Sequence, residues 1–294
     1  MKPTRVTFRS GDVECVGHRY EPPGSGNRAA VVLCPGFSGT QDTPALIAAA
    51  EAFAAAGYLA MTFDYRNFGV SEGEPRQLVD ISGQIADIRA AITCALAQPD
   101  VDPERLVLWG TSLGGGHVVT VAAEDSRVAA VVAQVPFNGF PRKVEGRSAK
   151  DTLSVLLAMA RDRLRGALGR RPYYIPAVGG AGELAVMASP QAQQTIAAME
   201  SDTWSNRVAP RALFDMMRYK PSDHAPELRV PLLISLAEHD AETAGPQTAE
   251  LAASAPHSEV LSYPCSHFEI YRPDVREKVI ADQTAFLDRT LARD

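Results

Sequence analysis

Leu106–Val119 reads LVLWGTSLGGGHVV. A run of β-branched and apolar residues ends at Gly110, a single small hydroxyl residue follows at Ser112, and three glycines, Gly114 to Gly116, open the next segment. An apolar strand, a turn cleared of side chains and a following helix make a mechanical unit. Gly110, Ser112 and Gly114 match G-x-S-x-G, in which small flanking residues let strand and helix approach while the serine is held out at the strand's C-terminal edge. The start of the helix adds the positive end of its dipole.

The neighbouring sequence supports a sheet around this turn. RVTF and VECVGHRY form an N-terminal strand pair, and AAVVLCPG, LAMTFDYR, RLVLWG, VAAVVAQVP, VPLLISLAE and EVLSYP read as further strands. The central runs are almost wholly apolar, as parallel strands covered on both faces must be. Helices are expected at about Thr43–Ala56, Asp80–Ala97, Leu113–Ala123, Gln247–Ala253 and Asp274–Leu291. Strand–helix alternation gives an α/β, doubly wound, mostly parallel sheet of eight strands. The alternation stops between Phe137 and Glu227, where broken helical segments and no convincing strand are read. A run of that length is too long for a plain loop, so residues 137–227 are expected to form a helical cap inserted into a core of 1–136 and 228–294.

Composition narrows the function. The 294 residues are 46% hydrophobic and 22% charged, with a net charge of −6 spread without a basic stripe, so nucleic acid is not an expected partner. The N-terminus has no apolar signal region. The apolar stretch PALIAAAEAFAAAGYLAM is interrupted by Glu51 and Gly57 and reads as a helix and a strand start, not a membrane span. The four cysteines, Cys15, Cys34, Cys94 and Cys265, are widely separated, which fits a reduced, cytoplasmic setting and gives no zinc spacing. No metal and no cofactor is expected. A homodimer is compatible with the sequence.

A serine becomes a nucleophile only beside a base, and the base needs an orienting group. In the order Ser, acid, His, both follow a strand: Asp240 closes PLLISLAEHD, and His267 lies beyond the last strand in VLSYPCSHFEIY. Glu238 is the rival acid. The other histidines read as packing or surface residues, His117 on the helix after Ser112 among them. Two backbone amides should hold the oxyanion, Leu113 directly after the serine and Phe37 in CPGFSG. In the cap, Tyr173, Tyr174, Trp204 and Met187 are candidate pocket residues, with Met199, Phe214, Met216 and Met217 as further apolar groups. The basic RDRLRGALGRR reads as a solvated helix face.

These motifs, LCPGFSGT, FDYRNFGVSEGEPR, LWGTSLGGG, LISLAEHD and YPCSHFEIY, resemble the α/β-hydrolase superfamily over nearly the whole chain outside the cap. Many relatives have His-Gly before the oxyanion loop, whereas this chain has Cys34-Pro35-Gly36-Phe37. Within the superfamily, the chain resembles dienelactone-hydrolase and Xaa-Pro-peptidase-like enzymes and the thiohydrolases and acyl or polyketide transferases of natural-product pathways. The resemblance implies a serine hydrolase acting on a small-molecule ester or thioester through an acyl-enzyme. An acyltransferase or an acyloxy-eliminating lyase at the same site stands beside it, and a non-catalytic binding protein behind both. Asp64 and Arg66 are expected to brace loops near the elbow.

Overall fold

The computed structural model describes all residues except 1, 25, 27, 141–147, 189–195, 197–198, 244 and 293–294. Its main sheet has eight strands in the order β1-β2-β4-β3-β5-β6-β9-β10. These are β1 Thr4–Ser10, β2 Val13–Tyr20, β3 Ala30–Cys34, β4 Leu59–Phe63, β5 Leu106–Thr111, β6 Val128–Gln134, β9 Leu232–Ala237 and β10 Ser258–Tyr263. The first two strands pair antiparallel, β2 joins β4 antiparallel, and every other pairing is parallel. The N-terminal hairpin and the parallel core are those expected from the sequence.

Alternation along the buried strands divides the core into two layers. Val32, Leu106, Leu108 and Val131 face one side, where α2 (Ile81–Leu96) and α3 (Leu113–Glu124) pack. Val31, Leu33, Val107, Trp109 and Val132 face the other, covered by Leu46, Ala49 and Phe53 of α1 (Pro44–Ala55) and by Ile280, Phe286 and Leu287 of α7 (Pro273–Thr290). Helix starts follow local chemistry. Thr43 precedes Pro44 at the first turn of α1, where the missing N–H is no loss. Asp80 caps α2 by accepting the Gly83 amide.

From β3 the chain returns to one side through β4 and then crosses to β5 on the other. Loops leaving β3 and β5 therefore diverge at the carboxyl ends of adjacent strands, the place where open α/β sheets hold ligands.

The segment between β6 and β9 has one long helix, α4 (Ala149–Ala167), started by a Ser148–Asp151 capping box. It also has a short α5 (Leu213–Met216) and two residue pairs in parallel strands, β7 Val178–Gly179 and β8 Met187–Ala188. The expectation of broken helical segments without a strand is corrected at these two short strands alone. Glycines 179, 180 and 182 keep the chain extended and turning where a helix would otherwise run. Val155, Ala158, Met159, Val178 and Val208 of this segment belong to the same apolar cluster as the α2–α3 face of the sheet. Most of SPQAQQTIAAM lies outside the described residues. The last helix on the chain's path to β10, α6, spans Gly245–Ser254.

Candidate active site

Ser112 stands between β5 and α3 with φ 54° and ψ −120°, a conformation that L-residues rarely adopt. Three bonds hold it there: its amide donates to Gln134 O at 2.9 Å, and its carbonyl accepts from Gly116 N at 3.1 Å and Phe137 N at 2.9 Å. Such a backbone persists only when its surroundings over-determine it. The glycines are required by close approach. A Cβ on Gly110 would lie 2.2 Å from Gly114 O, and one on Gly114 would lie 2.3 Å from Pro35 O. The β3 loop thus rests on the turn, and a Cβ on Gly36 would come 3.2 Å from that of Ser112.

The Leu113 amide is the first of α3, and the early amides of a helix have no carbonyl one turn back to bond. Phe37 sits in the abutting loop and lines the same cleft as Ser112. Cys34-Pro35-Gly36-Phe37 thus lies beside the elbow without the His-Gly of many relatives.

Asp240 follows β9 and His267 follows β10. Their side chains are 2% and 3% exposed, and His267 Nδ1 stands 2.8 Å from Asp240 Oδ2. The carboxylate also accepts from the Glu242 amide at 2.8 Å, the Thr243 amide at 2.7 Å and the Thr243 hydroxyl at 2.7 Å. Burial pushes the Asp240 carboxyl up, but the imidazole and these donors outweigh it and hold it below the usual aspartate value. Burial pulls His267 down, yet the Asp240 charge and hydrogen bond bring it above the usual imidazole value. A carboxylate at Nδ1 places the ring hydrogen there and leaves the Nε2 lone pair free. Glu238, the rival acid, is exposed.

Ser112 and His267 border one cleft of about 740 Å³, its mouth included. Its walls come from Phe37 in the β3 loop, Leu46 and Ala49 of α1, Trp109 and Thr111 of β5, Ile280 of α7, and Met187 and Met199. The cleft therefore runs down between α1 and α7. Of the expected cap residues, Met187 is at the cleft, but Tyr173, Tyr174 and Trp204 are not among its described lining. The Arg161 guanidinium sits 4.1 Å over the Tyr173 ring, and the Tyr174 hydroxyl donates to Arg76 O at 2.9 Å. The Trp204 amide donates to the Ser201 hydroxyl at 3.2 Å. Aromatic character gave no signal of facing. Thr243, Tyr271 and Gln134 were not singled out from the sequence; only the Asp-x-x-Thr spacing of Asp240 and Thr243 carried a hint, as a turn that caps its own amides.

The bracing pair acts as two separate clamps. Asp64 is buried and accepts from the amides of Gln41 at 2.7 Å and Val70 at 3.0 Å. Arg66 pairs instead with buried Asp87 at 2.7 Å. His117 is buried, with Nδ1 2.9 Å from the Tyr219 hydroxyl and Nε2 3.0 Å from Gln84 Oε1. Burial lowers its pKa to about 3. Among the described residues, no group of three or more His, Cys, Asp or Glu is placed to hold a metal ion, and no helix is long and apolar enough to cross a membrane.

A turn-mounted serine, a buried His–Asp pair and a mostly parallel sheet define an enzyme of the α/β-hydrolase class, of the serine-hydrolase type. The family model for serine aminopeptidase S33 matches residues 25–267, and the chain belongs to that family. It is 37% identical to the quorum-quenching protein AidA of Acinetobacter baumannii, over 98% of this chain and 95% of the relative. It is 29% identical to the polyketide transferase ATR5 of Stachybotrys chlorohalonatus, over 89% of each chain. The solved structure of DcsB in complex with its substrate analogue superposes with a TM-score of 0.86 at 23% identity, covering 99% of this chain and all of the other.

Proposed function

We propose that the chain hydrolyses a small-molecule carboxylic ester or thioester through an acyl-enzyme on Ser112. The observation that carries this is the buried His267–Asp240 pair opening onto the same cleft as a serine held at positive φ. His267 Nε2 takes the serine proton as Oγ bonds to the carbonyl carbon, and Asp240 stabilises the imidazolium. The Leu113 and Phe37 amides receive the negative charge that develops on the carbonyl oxygen. The C–O or C–S bond then breaks, and the leaving alkoxide or thiolate takes the proton from His267. Water, deprotonated by His267, releases the acid and restores the serine.

The described cleft walls carry no carboxylate to hold a free α-ammonium group, which favours an ester or thioester over a peptide N-terminus. Residues 137–227 act in this reading as a lid over the α/β core, contributing Met187 and Met199 to the chamber. The four free thiols suit a cytoplasmic location, and a homodimer is the assembly the reading admits. The mostly apolar walls and the polyketide-transferase relative favour one second outcome, capture of the acyl group by an alcohol or amine in place of water. Elimination of an acyloxy group would use the same base.

The test is release of p-nitrophenol from acyl esters of increasing chain length, with Ser112→Ala beside the native chain. Turnover that disappears in the variant is expected. A single stoichiometric burst would transfer the reading to an acyl acceptor other than water, and turnover retained by the variant would overturn it.

A further inference from the structure

Besides Ser112, His267, Thr43 and Arg276, the mostly apolar cleft is bordered by a continuous chain of polar groups. The Trp109 indole Nε1 donates to Gln283 Oε1 at 2.9 Å. Gln283 Nε2 donates to Gln134 Oε1 at 3.1 Å and to Ser235 Oγ at 3.0 Å. Gln134 Nε2 donates to Thr111 Oγ1 at 3.4 Å, and Thr111 Oγ1 lies 2.7 Å from the Tyr271 hydroxyl. An indole N–H can only donate, so it fixes which end of the Gln283 amide faces it. That choice fixes Gln134 in turn, and Thr111 must accept from it. Thr111 then gives its own hydrogen to the Tyr271 oxygen. Among the described residues the Tyr271 hydrogen is left with no acceptor. If the last pair is reversed, the spare hydrogen is the threonine's, so the wall carries one unspent donor in either case.

Thr111, Gln134 and Tyr271 all border the cleft, and Thr111 is the residue before the nucleophile. The Tyr271 ring centroid is 6.3 Å from that of His267. Leu46, Ala49 and Ile280 border the same cleft and have no side-chain group to accept a hydrogen bond. We propose that the Tyr271–Thr111 pair reads a carbonyl oxygen carried on the acyl chain near the scissile bond, so that oxo-acyl groups are preferred to plain alkyl acyl groups. The proposal rests on the acyl-enzyme reading above. A plain chain would bury the spare donor without a partner, and a site built to donate a hydrogen bond rejects a substrate that lacks the acceptor.

The probes are the N-acetylcysteamine thioesters of octanoate and of its 3-oxo, 4-oxo and 5-oxo counterparts, turned over by the native chain and by Tyr271→Phe. The native chain is expected to favour one oxo isomer by about tenfold in kcat/KM. Tyr271→Phe moves the spare hydrogen onto Thr111, the residue before the nucleophile, and is therefore expected to change which oxo isomer is preferred while changing plain octanoyl turnover by less than about threefold. Its acid limb in the pH profile should stay where it was, because the ring beside His267 is kept. No oxo preference in the native chain overturns the proposal. So does an equal loss on all four thioesters, or a displaced acid limb, since either would make Tyr271 a support of His267. Native turnover that survives Ser112→Ala would instead overturn the acyl-enzyme reading beneath it.

Discussion

At the scale of the residue, Asp240 and His267 have opposite electrostatic tasks. Asp240 must remain charged in a buried place, and four hydrogen-bond donors, including the imidazole, do this. Asp240→Asn removes the charge that raises His267, so the histidine loses its proton at lower pH. The acid limb of kcat/KM is therefore expected to move to lower pH, with the plateau reduced by about 10³–10⁴-fold as the correct tautomer is lost. A pH–rate profile of both forms checks the direction. The places of Ser112, Asp240 and His267 are legible in the sequence because each lies just past a strand, and strand ends are local signals. Thr243 is not, since its contribution depends on a turn bringing its amide and hydroxyl back to a carboxylate three residues earlier.

At the scale of the element, the β5–α3 turn depends on missing side chains. Gly110→Ala would put a methyl group 2.2 Å from a backbone oxygen that cannot retreat without moving α3. A loss of about 3 kcal/mol or more is expected, read as a lowered urea midpoint together with lost turnover. Helix α3 also carries His117, whose folded pKa of about 3 lies below the ordinary 6.5. Between those values the unfolded chain binds the extra proton, so this residue's contribution to stability falls as pH falls through that window. Between pH 6.5 and 5 it amounts to about 2 kcal/mol. Urea unfolding at both pH values should show stability changing less favourably on acidification in the native chain than in His117→Gln, the opposite contribution of His267 being common to both. Helix positions were readable from periodicity, with observed ends within a few residues of those expected for α1, α2, α3, α6 and α7. The Gly-rich break after α4 is visible in the sequence, but the two-residue strands β7 and β8 within it are too short for any 3.6-residue or two-residue period to reveal.

At the scale of the whole molecule, the chamber lies elsewhere than the aromatic residues suggested. Sequence spacing can say that Tyr173, Tyr174 and Trp204 sit in an insertion; it cannot say which way an irregular segment turns them. Arg161 lies over the Tyr173 ring, and Tyr174 is engaged by Arg207 and by the Arg76 carbonyl, neither ring being among the described lining of the cleft. Ala49→Leu, on the α1 wall, is expected to shift the preferred acyl length downward in the p-nitrophenyl ester series. Trp204→Phe should leave the preferred length unchanged. The cleft walls at Leu46, Ala49 and Ile280 are also the side chains that seal α1 and α7 onto the sheet. Adaptation to a new substrate must then rewrite part of the protein's own core. Variants with altered acyl range should appear first as temperature-sensitive ones, and their full use should await second substitutions that restore packing at a distance from the cleft.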